Sequence, residues 1–254
     1  MNLFLDIGEI IPSRSLNLTY IILDSVFLIV FLTLLILKKK YMTVVWSLFG
    51  GILYFIVDYC FFHLVGNTRI VTFNGKESET ITALVLLWMS LSYGITNFAF
   101  IWLCLRKDKY LVMWLLLIVG WWLVAPSLSK MNNSVIITTS RTTNSYHYIM
   151  AIILVAGYLG FIVYNLFTKK KMINLLWLNL ICISVQFAWE ASLLINGIRP
   201  MNGESVTTLL VNSLIETNLG MPYIYLIYLF VSKKRNEDFS RKNHLVNETT
   251  LDQI

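Results

Sequence analysis

The length, composition and charge of the chain exclude a water-soluble protein. Of its 254 residues, 57% are hydrophobic and only 13% are charged, whereas soluble domains are about 25% charged. The net charge of +6 comes without a nucleic-acid-binding motif, and the three cysteines are too far apart for a disulfide framework or a zinc site. We therefore expect an integral membrane protein that uses no metal or other cofactor and binds no nucleic acid.

Seven stretches of the chain are long and apolar enough to cross about 30 Å of hydrocarbon as helices. In chain order they are residues 19–37, 42–65, 81–105, 110–127, 147–168, 172–196 and 206–231. The predicted fold is therefore all-α, with a seven-helix transmembrane domain over residues 1–235. Residues 236–254 are polar and predict a flexible tail.

The distribution of basic residues predicts the orientation in the membrane. Lys and Arg collect in short cytoplasmic loops, and most of the 20 basic residues follow the first, third and fifth spans or lie in the tail. The N-terminus is thus predicted outside and the tail in the cytoplasm, with the plasma membrane as the expected location.

Shared landmarks in the first three and last three spans predict a parallel three-plus-one-plus-three repeat. Trp46 and Trp177 each follow a lysine triplet at the same interval. Asp58 lies twelve residues after the first tryptophan, and Glu190 lies thirteen residues after the second. The fourth span would then link the two repeats.

Four acidic residues lie inside predicted spans, namely Asp24, Asp58, Glu190 and Glu216. A charged side chain costs about 2.5–3.5 kcal/mol at the centre of a membrane helix, and the spans contain no Lys or Arg to pair with it. We expect Asp58, Glu190 and Glu216 to be catalytic acids around one cavity, some of them protonated. Asp24, nearest the membrane surface, is expected to bridge helices.

Polar and aromatic side chains at a similar depth predict a substrate-binding pocket. Gln186 and Asn212 lie one helical turn before Glu190 and Glu216, where their amides can reach the carboxyls. Aromatic faces near them would stabilise a cation. The other expected lining residues are Tyr59, Trp88, Tyr93, Asn97, Trp189 and Asn218.

Three features together form a pattern that extends over most of the chain. An acid, Asp58, lies late in span two, a Trp88–Met89 pair lies in span three, and Glu216 ends the sequence LVNSLIE in span seven. In this pattern the chain resembles the small membrane-bound terpene cyclases of fungal indole-diterpene and meroterpenoid pathways. The resemblance implies that Asp58 and Glu216 are the two catalytic acids. It also implies protonation of an epoxide or alkene on a prenyl chain, followed by cyclisation and loss of a proton.

The sequence leaves several functions open beside the cyclase. A sterol-type isomerase would use the same carbocation chemistry on a lipophilic small molecule. A small-solute transporter of the seven-span repeat type would use Asp58, Glu190, Asn97 and Asn218 near its midplane. A membrane sensor or assembly protein would need the acids only for helix packing, and membrane lipids are expected partners in every case.

Overall fold

The computed structural model describes residues 13–131, 135–141, 144–168 and 173–251. Seven of its helices are long and apolar enough to cross a membrane. These spanning segments are Leu18–Leu37, Tyr41–Val65, Glu79–Leu105, Leu111–Ser129, Tyr148–Phe167, Leu175–Ile195 and Ser205–Lys234. The predicted all-α class and the seven spans are confirmed, and the predicted ends agree within about one helical turn.

We number the helices in chain order. They are α1 (Leu18–Leu37), α2 (Tyr41–Phe55), α3 (Glu79–Leu105), α4 (Leu111–Ser129), α5 (Asn144–Phe167), α6 (Leu175–Ile195) and α7 (Gly203–Leu251). The backbone continues from α2 as a π-helix over Ile56–Val65, with hydrogen bonds five residues apart. The predicted tail continues α7 as far as Leu251, and its mobility stays a prediction.

Asparagine side chains begin two of the helices. The side chain of Asn17 accepts a hydrogen bond from the backbone N–H of Tyr20 at the start of α1. Asn174 accepts one from the backbone N–H of Trp177 at the start of α6. Each cap stabilises its helix by about 1 kcal/mol, so the local sequence sets these two helix starts.

Apolar side chains cover much of the bundle surface. Ile29 on α1, Val112 on α4, Ile152 on α5 and Phe230 on α7 are all exposed. Soluble monomers rarely expose so much contiguous apolar surface to water, whereas lipid chains would cover it in a membrane. The chain is therefore a membrane protein.

The α3 helix is the centre of the bundle and lies very close to α2. Every residue of α3 from Gly94 to Leu105 is buried. A Cβ atom on Gly94 would lie 2.6 Å from the Cα atom of Gly51, so only glycine permits this approach. The contact places Tyr93 opposite the π-helical continuation of α2, which carries Asp58.

Gly94→Ala is expected to lower the free energy of unfolding by about 1–3 kcal/mol, because its methyl group would overlap the α2 backbone. Denaturation in SDS, followed by tryptophan fluorescence, would measure this loss. Gly120→Ala in α4 is the matched control, because a Cβ atom there meets nothing within 4 Å. Equal stability of the two variants would contradict the close α2–α3 contact.

A four-stranded antiparallel sheet lies at one end of the helix bundle. Its strands are β1 (Arg14–Asn17), β2 (Arg69–Phe73), β3 (Lys76–Glu77) and β4 (Ile136–Arg141), in the order β1-β4-β2-β3. Leu16 pairs with Ile137, and Val71 pairs with Thr139. The side chains of Leu16, Val71 and Ile137 are buried in the core, so the sheet packs onto the bundle. No strand was predicted from the sequence.

We call this end of the bundle the sheet end. The other end, which carries Lys38–Lys40 and Arg106–Lys109, is the lysine end. The predicted orientation would put the sheet end outside the cell. That orientation and the three-plus-three repeat stay predictions.

Candidate functional site

A cavity of about 450 Å³ lies among α2, α3, α5, α6 and α7 and reaches the sheet end. This volume lies in the usual range of small-molecule sites. Of the described residues, five charged ones line the cavity near the sheet: Arg14, Asp58, Arg69, Arg141 and Glu216. The remaining lining is mostly apolar and includes Phe49, Leu53, Phe98, Ile101, Leu219, Ile224 and Ile227.

The apolar part of the cavity extends toward the lysine end. Phe49 on α2 precedes Asp58 by nine residues, and Ile227 follows Glu216 by eleven residues on α7. At 1.5 Å per residue, the apolar part reaches about 13–17 Å beyond the carboxyl groups. The cavity is therefore amphipathic along the membrane normal, with a charged end and an apolar end.

The cavity also opens sideways, between α2 on one wall and α5 with α7 on the other. Phe49 and Leu53 on α2 line it and are 45% and 40% exposed. On the opposite wall, Ile149 of α5 and Tyr223 of α7 line it and are also exposed. Because these edges face the lipid region, a lipophilic molecule can enter from the membrane.

Asp58 lies at the charged end and is held by two guanidinium groups. Its carboxylate is 3.2 Å from Nη2 of Arg69 and 3.7 Å from Nη1 of Arg141, and it accepts a hydrogen bond from the hydroxyl of Tyr93. Asp58 lies on the π-helical segment. π-Helical geometry is rare in proteins as a whole, and the cases that occur are often at functional sites.

Glu216 on α7 meets Asp58 through a shared arginine. Nη2 of Arg141 donates to Glu216, and Nε2 of Gln186 donates to its other oxygen at 3.2 Å. Arg141 therefore bridges carboxylates that belong to two different helices. The two acids singled out by the resemblance share one cavity.

Glu190 lies behind the cavity wall rather than in it. It is fully buried, and Nη2 of Arg199 approaches its two oxygens at 3.1 and 3.0 Å. The amide of Asn212 donates to the same carboxylate at 3.2 Å. This geometry makes Glu190 part of a buried ion pair that joins α6, α7 and the turn after α6.

The expectation that the intramembrane acids lack counter-charges is wrong. Arg69, Arg141 and Arg199 lie outside the spans in sequence, but β2, β4 and the turn after α6 fold back onto the sheet end of the bundle. Their guanidinium groups thereby reach the acids inside. In the described structure Asp58, Glu190 and Glu216 all form ion pairs.

The pKa values of the arginines are consistent with these ion pairs. Burial lowers the pKa of Arg199 to about 10, although Glu190 opposes the shift, so Arg199 stays a cation at neutral pH. Burial also lowers the pKa of Arg141. The nearby carboxylates of Glu216 and Asp58 outweigh this effect and raise the pKa of Arg141 above its ordinary value.

One sequence signal could have revealed two of these pairs. Arg69 follows Asp58 by eleven residues, and Arg199 follows Glu190 by nine, so each acid pairs with the first arginine after its own span. Arg14 and Arg141 carried no such signal, because their distances from the acids depend on the sheet.

The cavity brings together about half of the predicted site residues. Those that line it are Asp58, Tyr93, Asn97, Gln186, Trp189 and Glu216. Tyr59 instead stacks between Phe55 and His63, and Asn218 bonds to Tyr158 and Asn179. The sequence analysis missed the lining residue Tyr54 and the arginines.

Asp24 and Trp88 lie outside this cavity and connect three helices. The indole N–H groups of Trp88 on α3 and Trp121 on α4 donate to the two carboxylate oxygens of Asp24 at 3.1 and 3.0 Å. Asp24 is buried on α1. The carboxylate therefore serves helix packing, the role expected for it.

Asp24→Asn is expected to lower the free energy of unfolding by about 2 kcal/mol, because an amide can accept from only one of the two indoles and leaves the other unsatisfied. Product formation should change less than twofold. SDS denaturation and the product assay described below would measure the two effects. Glu77→Gln, at an exposed position on β3, is the control. An unchanged denaturation midpoint would contradict the bridging role.

Comparison of this chain with protein-family models, with curated proteins and with solved structures finds no match.

Proposed function

We propose that the protein is an intramembrane enzyme that cyclises or isomerises a prenyl or related terpenoid substrate. The observation that carries this proposal is the meeting of Asp58 and Glu216 at Arg141, at the charged end of a cavity that is otherwise apolar. The resemblance implies these two acids as the catalytic pair.

The shape and lining of the cavity support a lipophilic substrate. Its lateral opening admits molecules from the bilayer, and its apolar part is long enough for an extended hydrocarbon chain. The rings of Tyr54, Phe98 and Trp189 line it and supply faces that stabilise a carbocation by about 0.5–2 kcal/mol each. The apolar part of the lining offers few hydrogen-bond partners to water that would quench the cation.

The ion pairs assign different roles to the two acids. Asp58 is held by Arg69, Arg141 and Tyr93, so it remains a carboxylate that stabilises positive charge. In the described part of the chain, the only salt-bridge cation of Glu216 is Arg141, which can stay paired with Asp58 when Glu216 is protonated. Glu216 is therefore the proton donor that we propose.

The reaction then needs no co-reactant. The protonated carboxyl of Glu216 donates its proton to the epoxide oxygen or alkene carbon, and the cation is attacked by a carbon–carbon double bond of the chain. A neighbouring C–H then loses its proton to the carboxylate, which restores the acid. The product has the same mass as the substrate.

Mass spectrometry of membrane lipids tests this proposal. Host membranes that contain the wild type or Asp58→Asn/Glu216→Gln are supplied with a panel of prenylated and epoxidised prenyl compounds. We expect an isomer of unchanged mass and altered retention time from the wild type and from the control Glu77→Gln. Equal amounts of the isomer from the double variant would contradict the roles of the acids. If no compound in the panel yields an isomer, the proposed enzymatic activity is contradicted.

Transport is the outcome that would replace this proposal. Uptake of a water-soluble solute into proteoliposomes, lost in Asp58→Asn, would indicate a carrier.

We also propose a plasma-membrane location with the sheet end outside. A membrane-impermeant thiol reagent would then label Lys76→Cys in intact cells, and lack of labelling would contradict that orientation.

A further inference from the structure

Among the described residues, the charged end of the cavity has more cations than carboxylates. Its lining includes three guanidinium groups, those of Arg14, Arg69 and Arg141, but only two carboxylates, those of Asp58 and Glu216. Glu190 and Arg199, behind the wall, balance each other. Within the described part of the chain, one positive charge at the cavity wall therefore has no carboxylate of its own.

Arg14 carries this surplus charge. Its closest acid contact places Nη2 3.5 Å from Oε1 of Glu190. That oxygen already accepts hydrogen bonds from Arg199 at 3.1 Å and from Asn212 at 3.2 Å. The side chain of Arg14 is only 12% exposed, so water compensates little of its charge. A cation held in this way favours binding of an anion.

Arg69 adds a second unsatisfied group in the same cavity. Its guanidinium donates to Asp58 through Nη2, but Nε is buried and has no hydrogen-bond acceptor among the described residues. Burial lowers the pKa of Arg69, and the positive charges of Arg141 and Arg14 lower it further. The carboxylate of Asp58 acts in the opposite direction. Mutual repulsion among these cations would be relieved by an anion between them.

We infer that the ligand of this cavity is an amphiphile with a carboxylate or phosphate head group that binds at Arg14 and Arg69 and an apolar chain that extends toward Phe49 and Ile227. This inference rests on the proposed function and narrows its substrate to an anionic prenyl compound. The head group stays intact during the proposed reaction, because neither Asp58 nor Glu216 needs to act on it.

The head group and the chain lie in the order that entry from a membrane requires. The arginines lie at the sheet end, where lipid head groups meet water, and the apolar lining lies deeper. An amphiphile that moves sideways through the opening between α2 and α5 therefore keeps its charge near the membrane surface.

Binding to the full-length protein in phosphatidylcholine nanodiscs tests the inference. The probes are farnesyl monophosphate, farnesoic acid and farnesol, which share one chain and differ in the head group. We expect the two anions to bind at least about tenfold more tightly than the alcohol, as a charge-assisted hydrogen bond implies. In Arg14→Gln that preference should fall toward one, and Arg14→Lys should retain most of it.

Arg106→Gln is the matched control, since it removes the same charge from an exposed position at the lysine end. If the wild type binds farnesoic acid and farnesol with equal affinity, the inference of an anionic head group is wrong and the proposed function is unaffected. No saturable binding of any farnesyl probe would overturn both. Competition by inorganic phosphate as strong as that by farnesyl monophosphate would overturn the amphiphile in favour of a free anion.

Discussion

Arg199→Met is expected to lower the free energy of unfolding by about 3–5 kcal/mol. The substitution leaves the fully buried carboxylate of Glu190 without the guanidinium that lies 3.0–3.1 Å from its oxygens. Removing one member of a buried ion pair costs this much because the remaining charge is not hydrated. Glu190 would keep only the longer contact with Arg14, at 3.5 Å, as an ion pair. SDS denaturation of the purified protein, followed by tryptophan fluorescence, would measure the loss.

Two further variants separate the ion pair from a general effect of mutation. Arg106→Met makes the same change at an exposed position and should alter stability by less than about 0.5 kcal/mol. Glu190→Gln/Arg199→Met removes both charges and should recover much of the stability lost in the single variant. If Arg199→Met is as stable as Arg106→Met, the pair contributes nothing to folding.

Glu216→Gln is expected to reduce product formation at least about a hundredfold, because glutamine cannot donate the reacting proton. Glu216 has one salt-bridge cation in the described structure, Arg141, which keeps Asp58 when Glu216 is changed. The variant should therefore stay folded, with a denaturation midpoint near that of the wild type. Product mass spectrometry and SDS denaturation on the same preparation would measure both effects.

Asp58→Asn should also lose activity, but for a different reason. It removes the carboxylate that pairs with Arg69 and accepts from Tyr93, so both the stabilisation of the cation and the stability of the protein should fall. Full activity of Glu216→Gln would contradict its role as the proton donor.

The membrane-spanning helices could be predicted closely because each is specified within its own segment. A span such as Leu18–Leu37 is an uninterrupted apolar run, and in lipid its backbone must satisfy its hydrogen bonds internally. The bridging role expected for Asp24 likewise agrees with the structure. The groups that donate hydrogen bonds to Asp24 are the indole N–H groups of Trp88 and Trp121. Both residues lie inside apolar spans and are easily seen in the sequence.

The sheet could not be predicted in the same way. Its strands have between two and six residues, too few for an alternating pattern to stand out, and they pair over long distances in the chain. Arg14 pairs with Thr139, and Arg69 pairs with Arg141. The β-branched run IITTSR of β4 was the clearest local signal, and it is short.

The sequence by itself determined that this chain is a membrane protein of the all-α class with acids inside its spans, because hydrophobic length and the cost of burying a carboxylate are properties of single segments. Only the tertiary structure decided how those acids are compensated. The sheet brings Arg14, Arg69 and Arg141 from three separate segments onto one end of the bundle, where they meet Asp58 and Glu216. Ion pairing, the shared cavity and the balance of charge among its described residues depend on contacts between residues far apart in the chain, which no local pattern encodes.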